Sequence, residues 1–180
     1  MTRHRRRASG VVAGAAAVVA ATAGCLPGGT ADAGPPSTVG TVTRVIDGDT
    51  VDVETAVEGT VRVRVIGIDT PETNRPNTPV QCWGPEATDF ARAMLDGQRV
   101  RMVPDAGQDD VDDYGRALRY LRIGPAEEDY SVAAAEAGAA RAYVYDRSNP
   151  PSAAADIAAA EDRARAGDVG LWGPPCIGGA

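Results

Sequence analysis

The chain has no lysine in its 180 residues, and only one histidine, one phenylalanine and three cysteines. All 18 basic side chains are thus arginines, set against 25 acids for a net charge of −7. A body of that sign repels polyanions at long range. Binding to one must therefore come from a local basic site acting with a bound cation. No apolar run reaches the roughly 20 residues that a spanning helix needs. No internal repeat is present, and the length suits one well-cored domain.

What the start does contain is the pattern of an export signal. Arg3, Arg5, Arg6 and Arg7 form a basic n-region, and Val11 to Gly24 an Ala/Val/Gly-rich h-region. Arg6-Arg7 hints at twin-arginine export, although the apolar residues that normally follow at once are missing. Two processing sites compete. Thr22-Ala23-Gly24-Cys25 resembles a bacterial lipobox, in which Cys25 is lipidated and becomes the mature N-terminus. Ala31-Asp32-Ala33 resembles an ordinary small-x-small site, which would discard Cys25 and release the protein. Residues 1–24 are accordingly expected to be a signal peptide, 25–38 a Gly/Pro-rich flexible linker, and 39–180 one folded domain.

Removing residues 1–24 takes away four arginines and no acids, which deepens the net charge to −11. With Cys25 removed or capped, Cys82 and Cys176 remain as a pair that an exported protein is expected to join. That bond would pin the C-terminal tail to the segment before the first helix. In the chain-entropy account it contributes about 4 to 5 kcal/mol.

Within the domain, Thr41 to Ile46, Thr50 to Thr55 and Thr60 to Ile68 read as strands, with Val61, Val63 and Val65 alternating with Arg62 and Arg64. A meander of this kind sets the ends of the first and third runs at one sheet edge, so Asp49 and Asp69 can meet there. Residues 73 to 84 read as a polar loop containing Pro76 and Pro79. Gly84-Pro85-Glu86 then opens a helix with Ala87, Phe90, Ala91 and Met94 on one face. Gln98 to Val103 and Ala117 to Ile123 read as further strands, and helices are expected over about 129–137 and 152–166. Trp172 and Cys176 should fasten the tail. Five strands and three helices amount to a small β-barrel with helical cover.

Two acidic strings end the apolar runs: Asp47-Gly48-Asp49-Thr50 and Asp69-Thr70-Pro71-Glu72. Asp49 and Asp69 are hard oxygen donors which, with a backbone carbonyl, water and a phosphate oxygen, suit calcium. Glu72, three residues past Asp69, is placed to orient a water or take its proton. Arg64 offers paired donors to phosphate oxygens; strict alternation aligns it with Ile66 and Ile68, but a bulge at Gly67 could re-aim the strand end toward the site. Arg116, in Asp112-Asp113-Tyr114-Gly115-Arg116, supplies a second guanidinium. Tyr143 and Tyr145 share a face of an extended stretch and can stack a base. Taken singly, each has a plain explanation: a turn, a solvated arginine, a packing tyrosine, and a solvated loop for the acids from Asp109 to Asp113. The joint occurrence, in this order, is what points to chemistry.

These segments, together with Gly84-Pro85-Glu86-Ala87 and Ala142-Tyr143-Val144-Tyr145, resemble the staphylococcal nuclease family in order and spacing, from about Val39 to Trp172. The resemblance implies an OB-fold, a five-stranded barrel with three α-helices, and a calcium-dependent phosphodiesterase that cuts DNA and RNA to leave 3′-phosphates. It implies Ca²⁺ at Asp49, Asp69 and the Thr70 carbonyl, with Asp47 a nearby acid. Glu72 would act on the attacking water, and Arg64 and Arg116 on the phosphate. Tyr114, Tyr143 and Tyr145 would line the nucleotide pocket. Asp113 departs from the family pattern, standing where a lysine is familiar. With no lysine elsewhere, weaker substrate binding and stronger calcium dependence are expected. A monomer is expected, touching membrane only through a lipid on Cys25. The rival classes are a non-catalytic nucleic-acid-binding barrel and a calcium-binding surface lipoprotein. Arg64, Glu72 and Arg116 occurring together argue against the first, and two arginines beside the carboxylates against the second.

Overall fold

The computed structural model describes residues 36–73 and 79–177; the export segment, Cys25, both processing sites, most of the linker and Pro76 lie outside the described residues. Three strands, β1 (Thr38–Val45), β2 (Thr50–Thr55) and β3 (Gly59–Val65), form the expected antiparallel meander, with Val42 opposite Val53 and Val51 opposite Val63. A short β4 (Ile68–Asp69) follows, then α1 (Gly84–Leu95), β5 (Arg99–Val103) and β6 (Ala117–Ile123). β5 lies antiparallel between β1 and β6, and β6 runs parallel to β3, with Val63 opposite Ala117. That last pairing closes five strands into a barrel in the order β1-β2-β3-β6-β5. This is the OB-fold arrangement expected from the sequence.

The alternation explains the closure. Val42, Val51, Val53, Val63 and Val65 all point inward and are buried, and β-branched side chains suit a pleated surface. Full burial of each contributes roughly 1.5 to 3 kcal/mol. After β6 come β7 (Glu128–Asp129), α2 (Tyr130–Glu136), β8 (Arg141–Ala142) and α3 (Ala154–Ala166). Pro85 occupies the first turn of α1, which buries Ala87, Ala91 and Leu95 against the barrel end. α2 is capped by Asp129, whose carboxylate accepts the Ser131 N–H at 2.8 Å. α3 begins two residues later than expected because the Ser152 N–H donates to Asp105 at 2.7 Å rather than entering the helix.

The third run does not continue to Ile68 as one strand. It breaks after Val65, and Gly67, at φ 83°, turns the chain so that β4 pairs with β8 through Ile68 and Ala142. A Cβ on Gly67 would also lie 2.5 Å from the Ile157 side chain, so the turn is packed directly on α3. Ile66 and Ile68 are both buried, and the alternation that would have aligned them with Arg64 ends at the turn.

The tail is fastened as expected. Leu171 is buried, Trp172 lies beneath the Arg165 guanidinium at 4.0 Å, and Cys82 is bonded to Cys176 with Cα atoms 5.7 Å apart. Among the described residues, no helix is long and apolar enough to cross a membrane.

Candidate active site

Asp49 sits in the loop that carries β1 into β2 and is almost fully buried. Its Oδ2 accepts from the backbone N–H of Thr70 at 2.9 Å and from the Thr70 hydroxyl at 3.0 Å. Its Oδ1 accepts from the Thr50 hydroxyl at 3.0 Å and faces Arg64 Nε at 3.2 Å. The approach of Thr70 depends on Gly48, where a Cβ would fall 2.6 Å from the Thr70 methyl. Below this loop the buried Tyr130 hydroxyl donates to the Gly48 carbonyl at 2.6 Å. Burial, and then the charges of Asp49 and Asp47, raise the Tyr130 pKa above its ordinary 10.0.

Arg64 joins the two acidic strings. Nη1 donates to the carbonyls of Val65 at 2.7 Å and Ile68 at 2.8 Å, which staples the turn around Gly67. Nη2 reaches Asp69 Oδ1 at 3.1 Å, and Nε faces Asp49. The turn brings β4 back toward the Arg64 guanidinium, the re-aiming for which a bulge at Gly67 was one possible means. Asp49 is sheltered, whereas the Asp69 side chain is 56% exposed, so the cluster opens to solvent on the Asp69 side. Asp47 is a third carboxylate here; burial and the neighbouring charge of Asp49 push its pKa from 3.8 up to about 6.

Glu72 follows from the same string. Its N–H donates to Gln81 Oε1 at 2.7 Å and its carbonyl accepts the Gln81 N–H at 2.9 Å, while Oε1 accepts the Thr73 N–H at 3.1 Å. Gln81 thus clamps Glu72 from two sides, next to the disulfide at Cys82. No feature of the sequence singled out Gln81. Tyr130 was readable only as a helix residue, since its bond to Gly48 spans 82 positions.

Arg116 precedes β6, and its guanidinium is turned onto Asp112, with Nε and Nη2 both 2.7 Å from Oδ2. Burial raises Asp112, but the Arg116 N–H and guanidinium and the Tyr114 N–H outweigh it and hold the carboxyl below the ordinary 3.8. Arg116 also lies 5.4 Å from the Tyr114 ring. Tyr114, Tyr143 and Tyr145 are exposed at 85%, 44% and 83%. Asp49, Arg64, Asp69 and Thr70 thus share one connected network. Glu72 adjoins it along the chain, and Arg116 is held in an ion pair of its own.

Among the described residues, no three His, Cys, Asp or Glu side chains gather as a ready-made metal cluster. The donor chemistry nevertheless fits a hard divalent cation: two carboxylates share one guanidinium, a third, Asp47, accepts the Asp49 N–H at 3.1 Å, and the Thr70 backbone adjoins.

Comparison with known proteins agrees with this arrangement. A family model for staphylococcal nuclease homologues matches residues 62–174. The thermonuclease of Staphylococcus intermedius is 46% identical over 104 residues, covering 58% of this chain and 59% of that protein. The thermonuclease of Staphylococcus hyicus is 46% identical over 105 residues, with the same coverage. The SPbeta prophage-derived endonuclease YokF of Bacillus subtilis is 38% identical over 84 residues, 46% of this chain and 27% of that one. The chain spans about three fifths of the length of the two thermonucleases. On this match, and on a closed barrel carrying both acidic strings, the chain belongs to the staphylococcal nuclease family.

Proposed function

We propose that the protein is an exported, calcium-dependent phosphodiesterase that cuts DNA and RNA and leaves 3′-phosphate ends. It acts as a monomer, anchored by a lipid on Cys25 or released. The observation that carries this reading is the position of Arg64, a guanidinium only 13% exposed that spans Asp49 and Asp69. The thermonuclease and endonuclease relatives support a phosphodiester as substrate.

Asp49, Asp69 and the Thr70 carbonyl are the residues that would hold calcium, which when bound supplies a compact positive charge beside a phosphoryl oxygen. Arg64 presents N–H groups to the non-bridging oxygens, where negative charge grows as phosphorus becomes pentacoordinate. Arg116 adds a second guanidinium by turning away from Asp112, the partner that holds it close at hand. Glu72 takes a proton from the attacking water as the new oxygen–phosphorus bond forms. The P–O5′ bond breaks as the new bond forms, the 5′ oxygen takes a proton from solvent water and leaves as a hydroxyl, and Glu72 returns its proton to solvent. Tyr114, Tyr143 and Tyr145 offer exposed rings to the nucleotide. With Asp113 where a lysine would help, and no lysine elsewhere, substrate affinity is expected to be modest.

The test is incubation of the protein with single-stranded and duplex DNA and with RNA, in calcium and then in excess EGTA, followed by end-group analysis. Calcium-dependent cutting that leaves 3′-phosphates supports the reading. No cutting under any condition moves the protein to a non-catalytic binding barrel.

A further inference from the structure

On the outer face of the barrel, the row of residues next to Arg64 is also basic. Thr50 is paired with Arg64 across β2 and β3. Two residues further from the site, Arg44, Asp52 and Arg62 lie side by side on β1, β2 and β3, with Arg44 opposite Asp52 and Asp52 opposite Arg62. Arg62 and Arg64 share a face of β3 because Val63 between them points into the core.

Two of these side chains are locked together, and the third stands beside them. Asp52 is buried, and Arg62 binds it in a two-point fork, Nε to Oδ1 at 2.8 Å and Nη2 to Oδ2 at 3.1 Å. The Arg62 side chain is still 50% exposed. Of its five N–H groups, the fork engages two. Arg44 is exposed and, among the described residues, has no carboxylate partner. Elsewhere the arginines on the surface mostly answer one carboxylate each, as Arg92 does Asp89 and Arg163 does Glu136. Here two arginines stand in a row with one carboxylate, and only Arg62 binds it, so the row keeps a net positive charge on an acidic protein.

Resting on the nuclease reading above, we infer that Arg44 and Arg62 form a second phosphate subsite, which takes a backbone phosphate flanking the one held at Arg64. Two residues along a strand span roughly 6.6 Å, comparable to the step between successive phosphates of an extended strand. Asp52 pre-positions Arg62 for this task. The subsite gives a protein without lysine a local basic track that begins at its reacting centre.

The test is equilibrium binding of single-stranded oligonucleotides by fluorescence anisotropy in EDTA across a salt series, with a dinucleotide beside a longer strand, and cleavage of both in calcium. Arg44→Ala removes an exposed side chain that has no carboxylate partner among the described residues, so the fold is retained. It should weaken binding of the longer strand about two- to fivefold. It should lower the slope of log K against log salt by about 0.7 and leave the dinucleotide unchanged. Arg62→Gln paired with Asp52→Asn avoids stranding a buried charge and should act in the same direction. Salt slopes equal to wild type in both arginine variants, or equal losses on the dinucleotide, overturn the subsite. A wild-type protein that cleaves neither ligand refutes the nuclease reading instead, and the anisotropy series still decides the subsite.

Discussion

Thr70 meets Asp49 twice: its backbone N–H at 2.9 Å and its hydroxyl at 3.0 Å both donate to one carboxylate oxygen across 21 positions of sequence. The backbone bond ties the end of β4 to the β1–β2 loop, and the hydroxyl sets the roll of the carboxylate. Thr70→Val keeps the shape and removes only the second. Loss of one donor to a buried charged acceptor should destabilise by about 1.5 to 3 kcal/mol. Calcium affinity should fall less than in Asp49→Ala, which removes the ligand itself. Urea melts and calorimetry of both variants check this; an unchanged melt for Thr70→Val would mean the hydroxyl contact contributes nothing.

Arg64 has two jobs that a single substitution confounds. It bridges two carboxylates and also staples the carbonyls of Val65 and Ile68. Arg64→Ala strands a nearly buried Asp49 and opens the turn at Gly67, a loss of about 3 to 5 kcal/mol. Arg64→Lys keeps a charge but cannot span four acceptors in two directions. The lysine variant should therefore melt closer to wild type than the alanine one, while its turnover falls by orders of magnitude. If the lysine variant turns over normally, the forked geometry is not needed for the chemistry.

Away from the site, Asp105 and Tyr120 each make the stability depend on pH. Tyr120 donates to Asp105 at 2.9 Å, and Asp105 also accepts the N–H groups of Ser152 at 2.7 Å and Gly107 at 2.9 Å. Burial raises the Asp105 pKa, yet those donors outweigh it and leave it below 3.8. Burial, aided by the bond and charge of Asp105, pushes Tyr120 from 10.0 up to about 12. The depressed acid stabilises the fold above its unfolded value, and that contribution is lost as pH falls through the folded one. The raised phenol stabilises it below pH 10, and that is lost as pH rises toward 12. Tyr120→Phe should cost about 1 to 3 kcal/mol at neutral pH and reduce the loss between pH 10 and 12, with buried Tyr130 keeping some of it. Melts at pH 7 and pH 11 would expose an error if the two proteins lost stability in parallel.

The barrel was legible because its cause is local: valines at alternate positions and turn residues between them fix strands, face and register. The disulfide was legible from counting. The break at Gly67 was not, because a glycine within an apolar run reads equally as bulge, turn or strand. What decides it is the contact with Ile157, ninety residues later. For the same reason Asp49, Arg64, Asp69 and Thr70 were nameable from sequence while their bonding was not. The orientation of Arg116 toward Asp112 needed side-chain geometry, although both residues stood in one short motif. Gln81 carried no sequence signal because what it holds is backbone.

That clamp gives the disulfide a local consequence as well as a global one. Cys82 follows Gln81 directly, and its partner Cys176 fixes the tail to the same segment. Breaking the bond releases a loop of 94 residues of separation, worth about 4 to 5 kcal/mol in the chain-entropy account. It also removes the covalent anchor beside the two bonds that hold the Glu72 backbone. Gln81→Ala keeps the disulfide and removes one of those two bonds, the side-chain acceptor. Its effect on stability should be small, about 0.5 to 1.5 kcal/mol, whereas kcat should fall severalfold with KM nearly unchanged if Glu72 acts on the water rather than on substrate binding. Replacing Cys82 and Cys176 by serine should lower both stability and kcat, and adding Gln81→Ala to that variant should then cost less than it does alone, because both changes loosen one segment. Strictly additive losses in the triple variant would show that the disulfide and the clamp act independently.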